Sequence, residues 1–362
     1  MPTILLSGYY GFGNIGDEAI LAASIGALRA ARADLHIEVL SADPQHTAQQ
    51  YCVRATPRSN PWHILAAIRR ADLVLSGGGG LIQDVTSRAS PLYYLGILRL
   101  AQLLRRKTMV FSQGIGPLQS RRNTALTLST FRRAHAITVR DEESADWLRQ
   151  RGFGDSAITV AADAALLLQP CATERAAGIL GSHGVATDAP RIGICVRPWP
   201  SAPELSDAIA SLGDELAQEL SAQVILLPFH PQTDVPFCQR TAARMHRRAT
   251  VLGSGVSPSE VLGIIAHLDL LIGMRLHSLI FAGIAGRPLL GISYDPKVDA
   301  FLQSIGLEAA ASVEALDVGA LAAIAGETLA HSDRQREHVR ERVEDLKRAA
   351  QRSIQVALSL VD

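Results

Sequence analysis

The feature that most limits the fold of this chain is a repeated alternation of short, continuous apolar runs with longer amphipathic stretches. An apolar run at residues 3–8 precedes a helical pattern at 17–31, and a run at 71–80 precedes a helical pattern at 91–106. Strands that are apolar on both faces are typical of a parallel sheet with helices on both sides. The alternation therefore predicts a doubly wound α/β fold.

The alternation occurs twice, and 362 residues are enough for two domains. The first series fills residues 1–170 and the second fills 191–330, with a connection rich in small and polar residues at 171–190. Residues 331–362 carry one apolar stripe at three- and four-residue steps, which predicts a long amphipathic helix. We expect two Rossmann-like domains that face a cleft, followed by this C-terminal helix.

Charge and composition exclude several classes of function. The 35 Lys and Arg balance the 35 Asp and Glu, which argues against a general nucleic-acid-binding protein. The 4 cysteines are scattered without a CxxC pair, and no metal-ligand cluster is evident, so we expect no metal and no other cofactor. The sequence shows neither a signal peptide nor a membrane-spanning apolar run. We therefore expect a cytoplasmic protein, with at most peripheral contact with a membrane.

A glycine motif follows the first predicted strand. Gly11, Gly13 and Gly16 fit the G-x-G-x-x-G spacing of dinucleotide-binding proteins. Asp17 disfavours that function, because its carboxylate falls where a bound pyrophosphate needs bare N–H donors. Two alternatives remain: a turn that brings backbone close to another ligand, and a structural turn with Asp17 as the helix cap.

Two further glycine-rich segments follow predicted strands in the first half. The glycines at 77–80 predict either a loop whose N–H groups meet an anion or a sugar oxygen, or a tightly packed contact between strand and helix. Asp84 comes directly afterwards and is suited to hydrogen bonds with sugar hydroxyls. Gln113 lies in a similar segment after the next strand.

Basic side chains follow the predicted strands of the second half. Arg197 and His230 end two strands, and a guanidinium suits a carboxylate or a phosphate. Arg275 and His277 share one face of an extended segment that leads into a helix, where anions are favoured. The alternatives are structural ion pairs and locally hydrogen-bonded histidines. Ser278, Tyr294 and Lys297 lie at or beside these strand ends.

Taken together, these motifs resemble the polysaccharide pyruvyl transferase family, most closely its bacterial CsaB-type cell-wall members. The resemblance covers roughly residues 4–300. It rests on GYYGFGNIGDEAIL at 8–21, SGGGGLIQD at 76–84, FSQGIGP at 111–117, RDEES at 140–144, RPW at 197–199, LPFHPQTD at 227–234 and MRLHSLIFAGIAGRPLLGISYDPKV at 274–298.

The resemblance implies a GT-B-like fold and transfer of the enolpyruvyl group of phosphoenolpyruvate to two hydroxyls of one sugar, with release of phosphate. In CsaB-type members the acceptor is a lipid-linked precursor of secondary cell-wall polysaccharide that contains N-acetylmannosamine, and the product anchors surface-layer proteins. By motif position, His277 becomes the catalytic acid. The implied donor contacts are Arg197, Arg275, His277 and Ser278, the acceptor contacts are Gly13, Asn14, Asp17, Gly78, Gly79 and Asp84, and further cleft candidates are Gln113, His230, Tyr294 and Lys297.

Two other functions fit the same pattern of elements. A GT-B glycosyltransferase or nucleotide-sugar enzyme would need a base pocket and a ribose-binding Glu in the second half, and no clear Glu is found there. A non-catalytic sugar-binding protein would bind the acceptor without releasing phosphate, and it would have no use for the pair formed by Arg275 and His277.

Overall fold

The computed structural model describes residues 1–85, 87–186, 188–253 and 255–362. The chain forms two compact units. Unit 1 comprises Met1–Leu168 together with Leu346–Asp362, and unit 2 comprises Gln169–Asp345.

Unit 1 is built on a parallel sheet. In its described residues the strands are β1 (Thr3–Ser7), β2 (His36–Ser41), β3 (Arg54–Pro57), β4 (Leu73–Ile82), β5 (Lys107–Ile115), β6 (Ala136–Val139) and β7 (Thr159–Val160). The helices between them are α1 (Ile15–Ala31), α2 (Pro44–Tyr51), α3 (Pro61–Arg70), α4 (Ser90–Leu103), α5 (Arg121–Phe131) and α6 (Glu142–Arg149), with short 3-10 turns at Asp155–Ala157 and Ala164–Leu167. The strand order is β3-β2-β1-β4-β5-β6-β7.

Unit 2 repeats this architecture with a smaller parallel sheet of order β10-β9-β8-β11-β12-β13. Its strands in the described residues are β8 (Arg191–Cys195), β9 (Gln223–Leu226), β10 (Ala249–Val251), β11 (Leu270–Gly273), β12 (Leu289–Ser293) and β13 (Ala311–Ser312). Its helices are α7 (Thr173–Ser182), α8 (Leu205–Glu219), α9 (Asp234–Arg244), α10 (Pro258–Ile265), α11 (Leu276–Ile284), α12 (Pro296–Ser304) and α13 (Val318–Ala330). The last helix, α14 (Ser332–Ser359), begins in unit 2 and ends in unit 1.

The apolar runs occupy the central strands of both sheets, as the sequence predicts. Leu5 of β1 and Leu271 of β11 are fully buried together with their neighbours in the same strands. The doubly wound α/β class is therefore confirmed. The strand order reverses between β1 and β4 and again between β8 and β11. In sheets of this kind, such a switch point leaves a crevice outside the carboxyl ends of the two strands, where ligands bind.

The glycines at 77–80 are not a loop after a strand, as one interpretation of the sequence has it, but the last part of β4. A Cβ on Gly77 would lie 2.1 Å from the carbonyl oxygen of Phe111, and one on Gly78 would lie 2.2 Å from Cγ2 of Ile20. Gly78 also has a positive φ of 84°. Glycine is thus required here by close packing of β4 against β5 and α1. Gly80 is exposed, and no atom lies within 4 Å of the position of its Cβ.

Replacing Gly78 by alanine is expected to lower the free energy of unfolding by about 2–4 kcal/mol, because the methyl group overlaps Ile20 and the backbone has a left-handed φ. Urea denaturation followed by circular dichroism measures the change. Gly80→Ala is the matched control, two residues away in the same strand with open space around it, and we expect it to change stability by less than about 0.5 kcal/mol. Equal losses in the two variants would contradict the packing argument.

The segment at 171–190 contains a helix in addition to connecting residues. α7 packs against α10, and its Ile179 and Leu180 are buried. Thr187 of this segment lies outside the described residues. Gln113, which the sequence predicts in a segment after a strand, lies within β5 itself.

The apolar stripe near the carboxyl terminus lies on α14, and its members are buried. Val343 is 1% exposed and Ile354 is 0% exposed. In unit 1 the helix also contributes a fully buried hydroxyl, Ser353, which lies 2.8 Å from the Ser112 hydroxyl and donates to the Thr138 hydroxyl at 2.9 Å. Across the described residues we find no helix that is both long enough and apolar enough to cross a membrane.

Candidate functional site

The strands on both sides of the switch point in unit 2 end in the side chains that the sequence singles out. Arg197 follows β8, His230 follows β9, Arg275 follows β11, and Tyr294 follows β12. These four strands are neighbours in one parallel sheet, so their carboxyl ends lie along one edge. The sheet therefore brings together residues that are far apart in sequence.

Arg275 is held by a buried carboxylate. It occupies the cap position of α11, and its Nε donates to Oδ2 of Asp234 at 3.0 Å while its Nη2 donates to Oδ1 of the same residue. Asp234 is fully buried, and the Arg275 side chain is 13% exposed. The sequence did not predict this ion pair. Among the described residues, no hydrogen-bond acceptor is found for the third nitrogen, Nη1.

Asp234 also shapes the loop after β9. Its Oδ2 accepts the backbone N–H groups of Phe229 at 3.1 Å and His230 at 3.0 Å, and its Oδ1 accepts the hydroxyl of Thr233 at 2.8 Å. With the two bonds from Arg275, the carboxylate has no lone pair left for a substrate. Asp234 therefore positions the segments that follow β9 and β11, the strands on either side of β8, and does not act as a base.

His230 lies in positively charged surroundings. Burial lowers its pKa below the ordinary value, and the nearby Arg275 and Arg197 lower it further, although Asp234 opposes them. Its Nδ1 is buried, and no partner for it is found in the described part of the chain. The protonation state of such an imidazole responds to an incoming anion.

Arg197 rests against aromatic rings instead of a carboxylate. Its guanidinium carbon lies 5.6 Å from the ring centroid of Trp199 and 5.8 Å from that of Tyr294. The two rings pack edge to face at 4.8 Å. No ion pair of Arg197 is found within the described residues, and its buried Nε has no hydrogen-bond partner there. Arg197 is thus a cation whose charge is available to an anionic ligand.

The other predicted donor-side residues differ in their roles. His277 lies in the first turn of α11 and is half-buried. Ser278 is fully buried, and its hydroxyl donates to the carbonyl oxygen of Arg275 at 2.6 Å, so it stabilises the start of the helix. The Lys297 ammonium lies 3.0 Å from the carboxylate of Asp295 and 5.7 Å from the ring of Tyr294, beside the aromatic pair that supports Arg197.

In unit 1, the glycine motif after β1 is capped by Asn14 and not by Asp17. Oδ1 of Asn14 accepts the N–H of Gly16 at 3.1 Å, because the helix begins two residues before Asp17. Asp17 lies in the first turn of α1, with its Oδ1 3.3 Å from where a Cβ on Gly79 would be. The structure thus places Asp17 beside the end of β4. Gly13 has a φ of 72° in the turn before the helix.

Asp84 and Gln113 maintain the fold of the same edge of the sheet. Asp84 is 5% exposed and accepts the N–H groups of Gln119 at 2.7 Å and Ser120 at 2.9 Å, together with the amide of Asn123 at 3.0 Å. Its carboxylate therefore holds the backbone that leads into α5, whose cap is Ser120, and the sugar contact that the sequence suggests stays a prediction. Gln113 donates from Nε2 to the carbonyl oxygen of Gly79 at 2.7 Å.

Sequence reasoning missed the positioning role of Asp234 and the packing of the Arg58 guanidinium against the rings of Phe12 and Tyr93. The signal for Asp234 was its place at the start of a helix directly after the loop that carries His230. Nothing local indicated its partner, because Arg275 lies 41 residues further along the chain. Among the described residues, no group of three or more His, Cys, Asp and Glu side chains is arranged to hold a metal ion.

Comparisons with known proteins bear on both fold and family. A family model described as "Polysaccharide pyruvyl transferase" matches residues 14–296. The amylovoran biosynthesis protein AmsJ of Erwinia amylovora is 24% identical over 88% of this chain and 90% of its own length.

Solved structures with similar folds cover nearly the whole chain. HepE of Anabaena, in complex with UDP-glucose, has a TM-score of 0.65 and 14% identity over 99% of this chain and 100% of its own. MnaA of S. aureus, in complex with UDP, has a TM-score of 0.69 and 11% identity over 100% of this chain and 98% of its own. At such identities the likeness concerns the fold alone, and it confirms the predicted GT-B-like class.

Proposed function

Because this chain belongs to the polysaccharide pyruvyl transferase family, we propose that it transfers the enolpyruvyl group of phosphoenolpyruvate to two hydroxyls of one sugar. The products are a cyclic pyruvate ketal and phosphate. The observation that carries this proposal is the cationic edge of unit 2, where Arg197, His230 and Arg275 follow adjacent strands at the switch point.

The donor carries two anionic groups, a carboxylate and a phosphate, and the site offers two guanidinium groups. Arg197 has no carboxylate partner among the described residues, and Arg275 retains the N–H groups of Nη1. Guanidinium groups form short, charge-assisted bonds with both kinds of anion. The helix α11 begins at the same place, and its N-terminal N–H groups add a favourable field for negative charge.

In the proposed reaction, His277 protonates C3 of the enol, which turns the CH2 into a methyl group and makes C2 electrophilic. One sugar hydroxyl then forms a C–O bond to C2 and gives up its proton. The bond from C2 to the phosphate oxygen breaks, and phosphate leaves with the electron pair. A second hydroxyl closes the ketal. One of the two hydroxyl protons restores His277, and the other leaves with phosphate, so the protons balance.

The acceptor in this proposal is a sugar within a polysaccharide precursor. The CsaB-type acceptor, an N-acetylmannosamine-containing and lipid-linked glycan, is the finer form of the proposal, and peripheral contact with a membrane follows from it.

A phosphate-release assay tests the proposal. Phosphoenolpyruvate is combined with a panel of synthetic and lipid-linked aminosugar glycosides, and ketal formation is followed by mass spectrometry. We expect phosphate release only when an acceptor with two suitably spaced hydroxyls is present. Thermal-shift measurements with UDP-sugars are the comparison, because a nucleotide-sugar enzyme would be stabilised by them and not by phosphoenolpyruvate.

The protonation state of His230 gives a further prediction. In the free protein its pKa is lowered by burial and by the two arginines. A bound anion adds negative charge beside the imidazole, so we expect its pKa to rise when phosphoenolpyruvate binds. Binding then takes up a proton, and donor affinity increases as the pH falls from above the pKa of the complex towards the lowered pKa of the free protein.

Imidazole NMR signals, titrated with and without phosphoenolpyruvate, measure this change. His36 is exposed at the amino end of β2 and serves as the internal control. A pKa of His230 that stays the same at saturating phosphoenolpyruvate would show that the donor does not bind beside it.

A further inference from the structure

Aromatic rings crowd the loop that follows β1, at the switch point of unit 1. Tyr9 and Phe12 lie in this loop, and their rings are stacked, with 4.1 Å between centroids and 10° between planes. Both side chains are half-buried, so part of each remains open to solvent. The loop lies at the carboxyl end of β1, next to the end of β4, where sheets of this kind bind their ligands.

Arg58 extends the ring stack and fixes it in place. Its guanidinium carbon lies 5.0 Å from the centroid of Phe12 and 4.4 Å from that of Tyr93. Nη1 of Arg58 donates to the carbonyl oxygen of Gly8 at 3.0 Å, and the carbonyl oxygen of Arg58 accepts the hydroxyl of Tyr93 at 2.9 Å. We call Tyr9, Phe12, Arg58 and Tyr93 the aromatic platform. Its rings are oriented before any ligand arrives, which reduces the entropic cost of binding.

A carboxylate lies next to the platform. Burial raises the pKa of Tyr9 and the negative charge of Asp17 raises it further, whereas the positive charge of Arg58 lowers it. Asp17 is also adjacent to Gly79 at the end of β4. Aromatic rings, a phenol hydroxyl and a carboxylate thus share one end of the crevice.

We propose that the aromatic platform is the subsite that holds the pyranose ring of the acceptor sugar. This inference rests on the proposed function. The C–H bonds on one face of a pyranose are weakly positive and pack against the negative face of an aromatic ring. The hydroxyls around the ring are donors and acceptors that pair with a carboxylate and a phenol.

The test uses the full-length protein and two substitutions of Tyr9. Tyr9→Ala removes the ring, and Tyr9→Phe keeps the ring but loses the hydroxyl. The control is Trp62→Ala, which removes an aromatic ring that is 77% exposed on α3 of the same unit. The probes are methyl glycosides of N-acetylmannosamine, N-acetylglucosamine and galactose. Binding is measured by saturation-transfer NMR, and thermal unfolding checks that each variant is folded.

We expect at least one glycoside to bind the wild-type protein with its ring C–H groups in contact with aromatic protons. Tyr9→Ala should weaken that binding about 10-fold, Tyr9→Phe about 3-fold or less, and Trp62→Ala not at all. In the phosphate-release assay, Tyr9→Ala should raise the KM for the acceptor and leave the KM for phosphoenolpyruvate unchanged.

The inference is overturned if none of the glycosides binds the wild-type protein, or if Tyr9→Ala binds them as tightly as wild type does. If Tyr9→Ala does not fold, the folded Tyr9→Phe variant tests the inference instead. Glycosides bound to that variant must still contact the aromatic ring at position 9, and binding without this contact overturns the inference. Glycoside binding through Tyr9 without phosphate release from phosphoenolpyruvate would refute the proposed function and leave the platform standing. Phosphate release that does not change when Tyr9 is replaced would refute the role of the platform and leave the proposed function standing.

Discussion

Replacing Asp234 by alanine is expected to lower the free energy of unfolding of unit 2 by about 3–5 kcal/mol. The substitution leaves the Arg275 guanidinium largely buried without its counter-charge, and it removes the acceptor of two backbone N–H groups, those of Phe229 and His230. Urea denaturation of the wild type and the variant measures the loss.

Two further variants separate charge from other causes. Asp234→Asn keeps the size of the side chain but loses the charge, so we expect an intermediate loss of stability. Asp207→Ala breaks an exposed ion pair with Arg244 in the same unit, where the side chains are 61% and 45% exposed. That control should change stability by less than about 1 kcal/mol. If Asp234→Ala were as stable as Asp207→Ala, the buried pair would not hold this edge of the sheet together.

Replacing His277 by alanine is expected to reduce turnover at least about 100-fold while donor binding stays largely intact. The reason is that His277 supplies the proton to C3 in the proposed reaction, whereas Arg197 and Arg275 hold the two anionic groups of the donor. Steady-state phosphate release gives kcat and KM, and thermal shift with phosphoenolpyruvate reports donor binding independently.

The control for this variant is His36→Ala, which removes an exposed imidazole at the amino end of β2 in unit 1. It should leave kcat and KM unchanged. Near-normal turnover of His277→Ala would remove His277 from the mechanism. Loss of phosphoenolpyruvate binding with normal turnover at saturation would instead make His277 a donor-binding residue only.

The parts of the fold that the sequence predicts are those with a long and regular pattern. The helical pattern at 17–31 is observed as α1 (Ile15–Ala31), and the one at 91–106 as α4 (Ser90–Leu103). α2 and β3 were not predicted, because α2 has 8 residues with little apolar periodicity and β3 has 4 residues. Such short segments take their structure from their neighbours in the sheet.

The candidate site, too, could be predicted only in part. Which residues follow the strands could be predicted, because each lies next to an apolar run in the sequence. The partner of each residue could not be predicted, since Asp234 pairs with Arg275 and Asp84 accepts the N–H of Ser120 only through contacts made by the folded chain. The glycines of β4 show the same limit: their role depends on Ile20, which lies more than 50 residues earlier.

The division of α14 between the two units bears on how the chain folds as it is synthesised. Unit 2 is continuous in sequence, so all of its residues have been translated before the final ones appear. Unit 1 lacks Leu346–Asp362 until those residues have also been translated, and with them the Ser353 hydroxyl that completes a buried network with Ser112 and Thr138. Unit 1, which begins before unit 2, is thus completed after it, in contrast to the usual order in which amino-terminal domains finish first.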